Sequence, residues 1–257
     1  MDLYEKQDFI IPTESADYNE TSKYVIAAIE GVVEQAIQRG ENRIVLNTNL
    51  RHGLPMENIN KIAGPFVEAW AGELFESISL EAGNRWHLVH TEPCQRLGMA
   101  DFILQFQKAT TVGAVVTAQV DSKATAEDLA TSGKMPNITS FARIRSAYIE
   151  DADFLFVILS LKHRVYGRNN PQTGLKDGIM EVVGYNAYDM KHISEADLIY
   201  NPALGSGQLQ IKDIHHVELQ ERTTWEFCQL LDSKYLASSK RTFQDWRRLA
   251  QKNGWIR

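Results

Sequence analysis

Apolar residues recur at helical spacing early in the chain and then at strand spacing through its middle. Val25, Ile29, Val32, Val33 and Ile37 fall on one face of a helix that Thr21 or Ser22 can cap and Gly40 can end. A second helix is predicted with Pro65 in its first turn, running through Phe66, Trp70, Leu74 and Ile78 to Gly83. The period then changes. "WHLVH" (86–90), "ADFILQF" (100–106) and "GAVVTAQVDSK" (113–123) read as successive short strands, the last two joined by a turn near Gly113. "NITSFARIRSAYI" (137–149) predicts a helix, and "DFLFVILSL" (153–161), bounded by charges, a fully buried central strand. From Lys162 to Leu209 the pattern weakens into Gly- and Asn-rich pieces, "YGRNNPQTG" and "YNPALGSG", that read as loops. Two helices follow, at 223–236 and 242–251, each opening on a Thr that can cap.

These elements sum to a mixed sheet flanked by helices, α/β or α+β. A single domain over residues 1–257 is expected, since no repeat, low-complexity tract or linker divides the chain. With 257 residues, 44% of them apolar, there is enough to fill a sizeable core. Cys94 and Cys228 are too few for a disulfide framework or a zinc cluster and are expected as reduced, buried thiols. "MDLYEKQDFI" has no basic or apolar leader pattern, and no window approaches about 18 uninterrupted apolar residues. A cytoplasmic location is the corresponding expectation.

A formal net charge of -6 argues on its face against a nucleic-acid partner, because backbone affinity comes from Lys and Arg neutralising phosphates. The average conceals an asymmetry. Lys234, Lys240, Arg241, Arg247, Arg248, Lys252 and Arg257 stand against one acid, Asp245, so residues 234–257 carry +6 and the rest carries -12. Such a basic helical C-terminus, over 222–257, can lie on a phosphate backbone, although a solvated charged face is the plainer reading.

The segment "TAQVDSK" concentrates the candidate chemistry. Side chains alternate across a strand, so Gln119, Asp121 and Lys123 project from one face. Alone, Asp121 and Lys123 read equally as a strand-end salt bridge. Asp101, at the start of the preceding candidate strand, changes that picture: if the two strands pair, two carboxylates and a lysine meet at one sheet edge. Two carboxylates suit Mg²⁺, which takes one or two of them with waters and phosphate oxygens, and Lys123 can position water or meet developing charge. Magnesium-assisted phosphodiester hydrolysis is the reaction this grouping supports. No Gly-rich phosphate loop or nucleophile elbow favours a metabolic α/β enzyme, and His215-His216 lacks a third convincing zinc ligand.

"AD" at 100–101, nineteen intervening residues, and "VDSK" at 120–123 resemble the PD-(D/E)xK motif, with Ala100 at the nominal proline. "IAGPFVEAWAGELFE" (62–76), "PNITSFARIRSAY" (136–148), "GQLQIKDI" (207–214) and "QDFIIPTESADYNETSKYVIAAIE" (7–30) are similar to segments of type II restriction endonucleases of the EcoRV-like branch, among them HincII-like and HpaI-like enzymes. The resemblance implies a restriction-endonuclease-like core and a Mg²⁺-dependent homodimer that cuts double-stranded DNA at a short, GTTAAC-like palindrome to leave blunt ends. It implies Asp101 and Asp121 as metal ligands and Lys123 as the catalytic lysine, with Glu68, or less readily Glu73, adding a carboxylate. Rival readings are a structure-specific or repair nuclease of the same fold and a non-catalytic DNA-binding protein.

DNA contacts are expected from Lys134, Asn137, Ser140 and Arg143 on the helix after the active strand, and from Asn201 and Gln208 in recognition loops around 162–210. Amides suit adenine and Arg suits guanine. Asn137 reads equally as the helix N-cap, and Asn201 as a turn former. Lys162, His163, Arg164 and Arg168 are read as backbone-positioning groups.

Overall fold

A computed structural model describes residues 2–95, 98–108, 114–203 and 205–257. The elements run α1 (Asp2–Glu5), α2 (Tyr18–Arg39), β1 (Arg43–Leu46), α3 (Met56–Leu80), β2 (Leu88–Pro93), β3 (Phe102–Gln107), β4 (Val115–Ala126), β5 (Asn137–Ser140), α4 (Phe141–Glu150), β6 (Leu155–Asn169), β7 (Lys176–Asp189), β8 (Leu198–Asn201), β9 (Gln208–Ile211), α5 (Thr224–Leu236) and α6 (Phe243–Lys252). The predicted turn near Gly113 lies outside the described residues.

Two compact units divide the chain: one comprises 1–23, 134–156 and 189–257, the other 24–133 and 157–188. The second unit carries a six-stranded sheet in the order β1-β7-β6-β4-β3-β2. The pairs β1/β7, β2/β3 and β3/β4 are antiparallel, and α3 packs against β2 and β4. This is the mixed α/β class predicted, and it is consistent with a restriction-endonuclease-like core. In β6 the run Leu155–Leu161, apolar except for Ser160, is wholly buried, as expected of a strand inside a sheet.

Helix α3 begins at Met56, nine residues before Pro65, which is therefore inside the helix and not in its first turn. Ile59, Ala63, Val67, Ala71, Phe75 and Ile78 form one buried stripe, and burying that stripe outweighs the hydrogen bond Pro65 deletes on the exposed side. Helix α2 starts three residues before Thr21 and ends as predicted at Gly40, whose φ of 73° is a left-handed helix end.

The stretch from Lys162 to Leu209 is mostly strand. "YGRN" continues β6 to Asn169, a turn follows, and β7 returns over fourteen residues. Of the glycines in "YGRNNPQTG", Gly167 marks a close approach, since a Cβ there would lie 2.6 Å from the Lys176 side chain, whereas Gly174 (φ 68°) has open space around it, as a turn glycine does; in β7 a Cβ on Gly178 would lie 2.8 Å from the Ile59 side chain of α3.

The first unit carries a three-stranded antiparallel sheet, β5-β9-β8, with α4, α5 and α6. The segment 137–140, predicted as the start of a helix, is β5; the helix begins at Phe141 and is capped by Ser140, whose side chain accepts from Arg143 N. Capping boxes open α5 at Thr223 and α6 at Thr242, in agreement with the two terminal helices predicted.

Candidate active site

The β3/β4 ladder positions the cluster. Phe102 pairs with Val120 at the last step of the ladder, and Asp101, just before Phe102, lies close enough to Asp121 for its charge to act on that carboxyl. Asp101 N donates to Val120 O at 2.9 Å, and the Asp101 carboxylate accepts from Ser122 N at 2.7 Å. Lys123 Nζ donates to Asp121 Oδ1 at 2.6 Å. Asp121 is 5% exposed, and its Oδ2 is buried with no hydrogen-bond partner. The strand alternation that placed Asp121 and Lys123 on one face therefore holds.

Glu68 reaches the cluster from α3. Burial raises its carboxyl above the usual range, the Asp101 charge raises it further and Lys123 lowers it. Glu68, Glu73, Glu76, Thr91, Asp101 and Phe102 are among the residues lining a cleft of about 350 Å³. Of the two glutamates, Glu68 is half-buried and senses Asp101 and Lys123, whereas Glu73 lies exposed at the rim.

Burial pushes the Asp121 carboxyl up to about 7; Lys123 pulls it down, and Asp101 and Glu68 push it up. The folded chain thus holds this proton more tightly than the unfolded chain does. Stability from this group is present at low pH and falls as pH rises from about 3.8 to about 7, where the unfolded state binds fewer protons. In metal-free buffer Asp121→Asn is therefore expected to gain on the parent between pH 5 and pH 8 by about 2 kcal/mol. Paired thermal melts at the two pH values check this; a variant that loses ground at pH 8 would show that the pair is held for stability alone.

Among the described residues no group of three or more His, Cys, Asp and Glu is set to hold a metal ion unaided. Mg²⁺ does not require one, since it keeps several waters and takes one or two carboxylates with substrate phosphate oxygens. Asp101 and Asp121 offer those hard oxygens, and the orphaned Asp121 Oδ2 is an acceptor in want of a partner. The donor set fits a small divalent cation.

The predicted DNA-contact residues lie in the other unit, and β9 gathers four of them. Gln208 pairs with Ser140 on one side and Asn201 on the other, while Asn137 pairs with Gln210. Asn137 is thus a strand residue and not an N-cap. Asn201 Oδ1 accepts from Ala203 N at 3.1 Å, the turn-forming role its sequence also allowed. Lys134 is in an ion pair with Asp213, so its charge is already matched. Arg143 is exposed on α4.

His163 is buried with neither ring nitrogen hydrogen-bonded, and burial lowers its pKa. Arg164 and Arg43 both grip Glu181, at 2.7 and 2.9 Å. In the C-terminal segment Arg241 donates to Tyr200 OH, Pro202 O and Gly205 O at 2.8, 3.0 and 2.7 Å, which clamps the turn between β8 and β9. That clamp was illegible in the sequence. Gly207, with φ of 92°, lies so close that a Cβ there would fall 2.2 Å from the Tyr200 ring. Cys228 is buried as expected, with its thiol pushed up to about 12 by burial, whereas Cys94 is only half-buried; both are free thiols.

A helix-flanked six-stranded sheet that gathers Asp101, Asp121 and Lys123 at one end of its β3/β4 ladder, with Asp101 lining a cleft, is consistent with a restriction-endonuclease-like core. Residues 5–254 match the family model described as type II restriction endonuclease HpaI. The type II restriction enzyme HpaI of Haemophilus parainfluenzae is 52% identical over 254 residues, covering 99% of each chain. The chain belongs to the HpaI family of type II restriction endonucleases, a class of enzymes that generally need a divalent metal ion.

Proposed function

We propose that this enzyme is a Mg²⁺-dependent homodimer that hydrolyses both strands of duplex DNA at a short GTTAAC-like palindrome and leaves blunt ends. The observation that carries the reading is the 2.6 Å Lys123–Asp121 pair just beyond the Phe102–Val120 pairing, with the Asp101 carboxylate held beside it by Ser122 N. Asp101 and Asp121 would hold the cation, with Glu68 in support. The chemistry that Mg²⁺ supplies when bound is charge stabilisation on the scissile phosphate and a more acidic water.

Lys123 has two roles. Its charge favours the ionised form of Asp121 against burial, and its two N–H groups not given to Asp121 can orient the attacking water or meet charge on the phosphate. Asp121 must be ionised to act as a ligand, so Mg²⁺ affinity of the free enzyme is expected to rise with pH through about 7. Calorimetric titration with MgCl₂ at pH 6 and pH 8 checks the sign, and equal affinities would count against Asp121 as a ligand.

Two-fold symmetry supports the dimer, since matching a two-fold protein to a palindrome puts one centre on each strand. The chain passes between its two units at 23/24, 133/134, 156/157 and 188/189, which supports treating 1–257 as one restriction-endonuclease-like domain. No helix among the described residues is long and apolar enough to cross a membrane; a cytoplasmic site of action is part of the proposal. Phage DNA digested in Mg²⁺ should give discrete bands whose sequenced ends share one palindrome. A smear, or cutting confined to junctions and mismatches, would instead identify a structure-specific or repair nuclease.

A further inference from the structure

The sheet β5-β9-β8 has two unlike faces. Leu209 and Ile211 are buried on one, while Gln208 and Gln210, the alternate positions, are partly exposed on the other. Ladder partners share a face, so Asn137, Ser140 and Asn201 join the two glutamines there. Five polar side chains, four of them amides, thus cover one side of a small sheet whose other side is core.

Two of these amides are coupled. Gln210 Nε2 donates to Met135 O at 3.1 Å and to Asn137 Oδ1 at 2.9 Å. A backbone carbonyl can only accept, so Met135 fixes which end of the Gln210 amide is nitrogen, and this in turn fixes Asn137. Both N–H groups of Gln210 are spent. Asn137 Nδ2 and Gln210 Oε1 have no partner among the described residues, leaving a donor and an acceptor side by side. The backbone beneath them is pinned, because Met135 N donates to Lys212 O at 3.2 Å and Lys134 bridges to Asp213.

We infer that Gln210 and Asn137 together form a composite reader of a single adenine, Gln210 accepting from N6 and Asn137 donating to N7. In the major groove adenine alone offers an acceptor and a donor on one base, in that arrangement. Guanine would set its O6 against Gln210 Oε1, two acceptors facing each other. Cytosine and thymine each lack one of the two groups. Gln210 has no predicted role in the sequence, whereas Asn137 was foreseen only as one of several possible contacts.

This inference rests on the endonuclease reading above, and the test separates the two. Once the wild-type cleavage site has been sequenced, duplexes are prepared with 7-deazaadenine replacing each adenine of the site in turn. At one position the wild-type enzyme should slow on the order of 10- to 100-fold. At that position Asn137→Ala should show no further loss, and Gln210→Ala should cut the A·T and G·C versions at rates that differ at least tenfold less than for wild type. Metal-free binding to unrelated DNA should be unchanged in both variants. A wild-type enzyme indifferent to 7-deazaadenine at every position overturns the inference even if a variant misfolds, and so does full discrimination in both folded variants. Absence of any Mg²⁺-dependent cutting by wild type would remove the endonuclease reading itself and the inference with it.

Discussion

Lys123→Ala is expected to lower the single-turnover rate of DNA cleavage about 1000-fold while leaving the fold and metal-free DNA binding intact. Two losses combine. Removing an ammonium aimed at charge that develops in the transition state costs on the order of 100- to 1000-fold by itself. Asp121 would then remain buried beside Asp101 and Glu68 with its only favourable charge gone. Its carboxyl, already pushed up to about 7, would stay protonated at neutral pH and bind the cation poorly. Raising pH and Mg²⁺ together should therefore restore part of the loss, the part due to metal affinity, and leave the rest. Lys61→Ala is the control: Lys61 makes an exposed pair with Glu57 on α3, of a kind worth under about 1 kcal/mol, and should cut at the parental rate. A Lys123→Ala enzyme within threefold of wild type at saturating Mg²⁺ would remove Lys123 from the chemistry.

The cluster was legible because it depends on strand periodicity and on one pairing. Alternation along β4 places Asp121 and Lys123 together whatever surrounds them, and adjacent strands in sequence tend to pair, which brings Asp101 across. Glu68 was legible only through family resemblance, since nothing local distinguishes it from Glu73 or Glu76 on the same helix. What escaped was set by tertiary contact. Gly167 reads as a loop residue until the Lys176 side chain is seen where its own would be, and Pro65 reads as a helix start until the buried stripe on both sides of it is seen. Arg241 is one basic residue among seven in its segment; only the folded chain shows it spent on two carbonyls and a tyrosine. Likewise "RIR" at 143–145 offers two equivalent arginines, although two residues along a helix are on different faces. Arg143 is exposed and Arg145 fully buried.

Arg145 defines the largest stability effect expected in the molecule. Its guanidinium meets Asp232 at 3.2 Å with both side chains fully buried, and it lies 5.2 and 5.7 Å from the ring centres of Trp255 and Trp225. Asp232 also accepts from Tyr4 OH at 2.8 Å and Trp246 Nε1 at 2.9 Å, so one carboxylate joins α1, α4, α5 and α6. Asp232→Ala would strand the arginine charge in an aromatic cage and leave the tyrosine and indole donors unmet. Removing one partner of such a buried pair costs about 3–5 kcal/mol, far more than the intact pair contributes relative to apolar side chains of the same shape. For a chain of this size that corresponds to a fall in Tm of about 10 °C. The double variant Arg145→Leu/Asp232→Leu should recover a good part of the loss, because it removes the uncompensated charge and keeps the volume. Differential scanning calorimetry of the three proteins decides the matter. If the single and double variants melt together, the cost comes from lost packing and not from the stranded charge, and the pair is no more than a filler of the space between these helices.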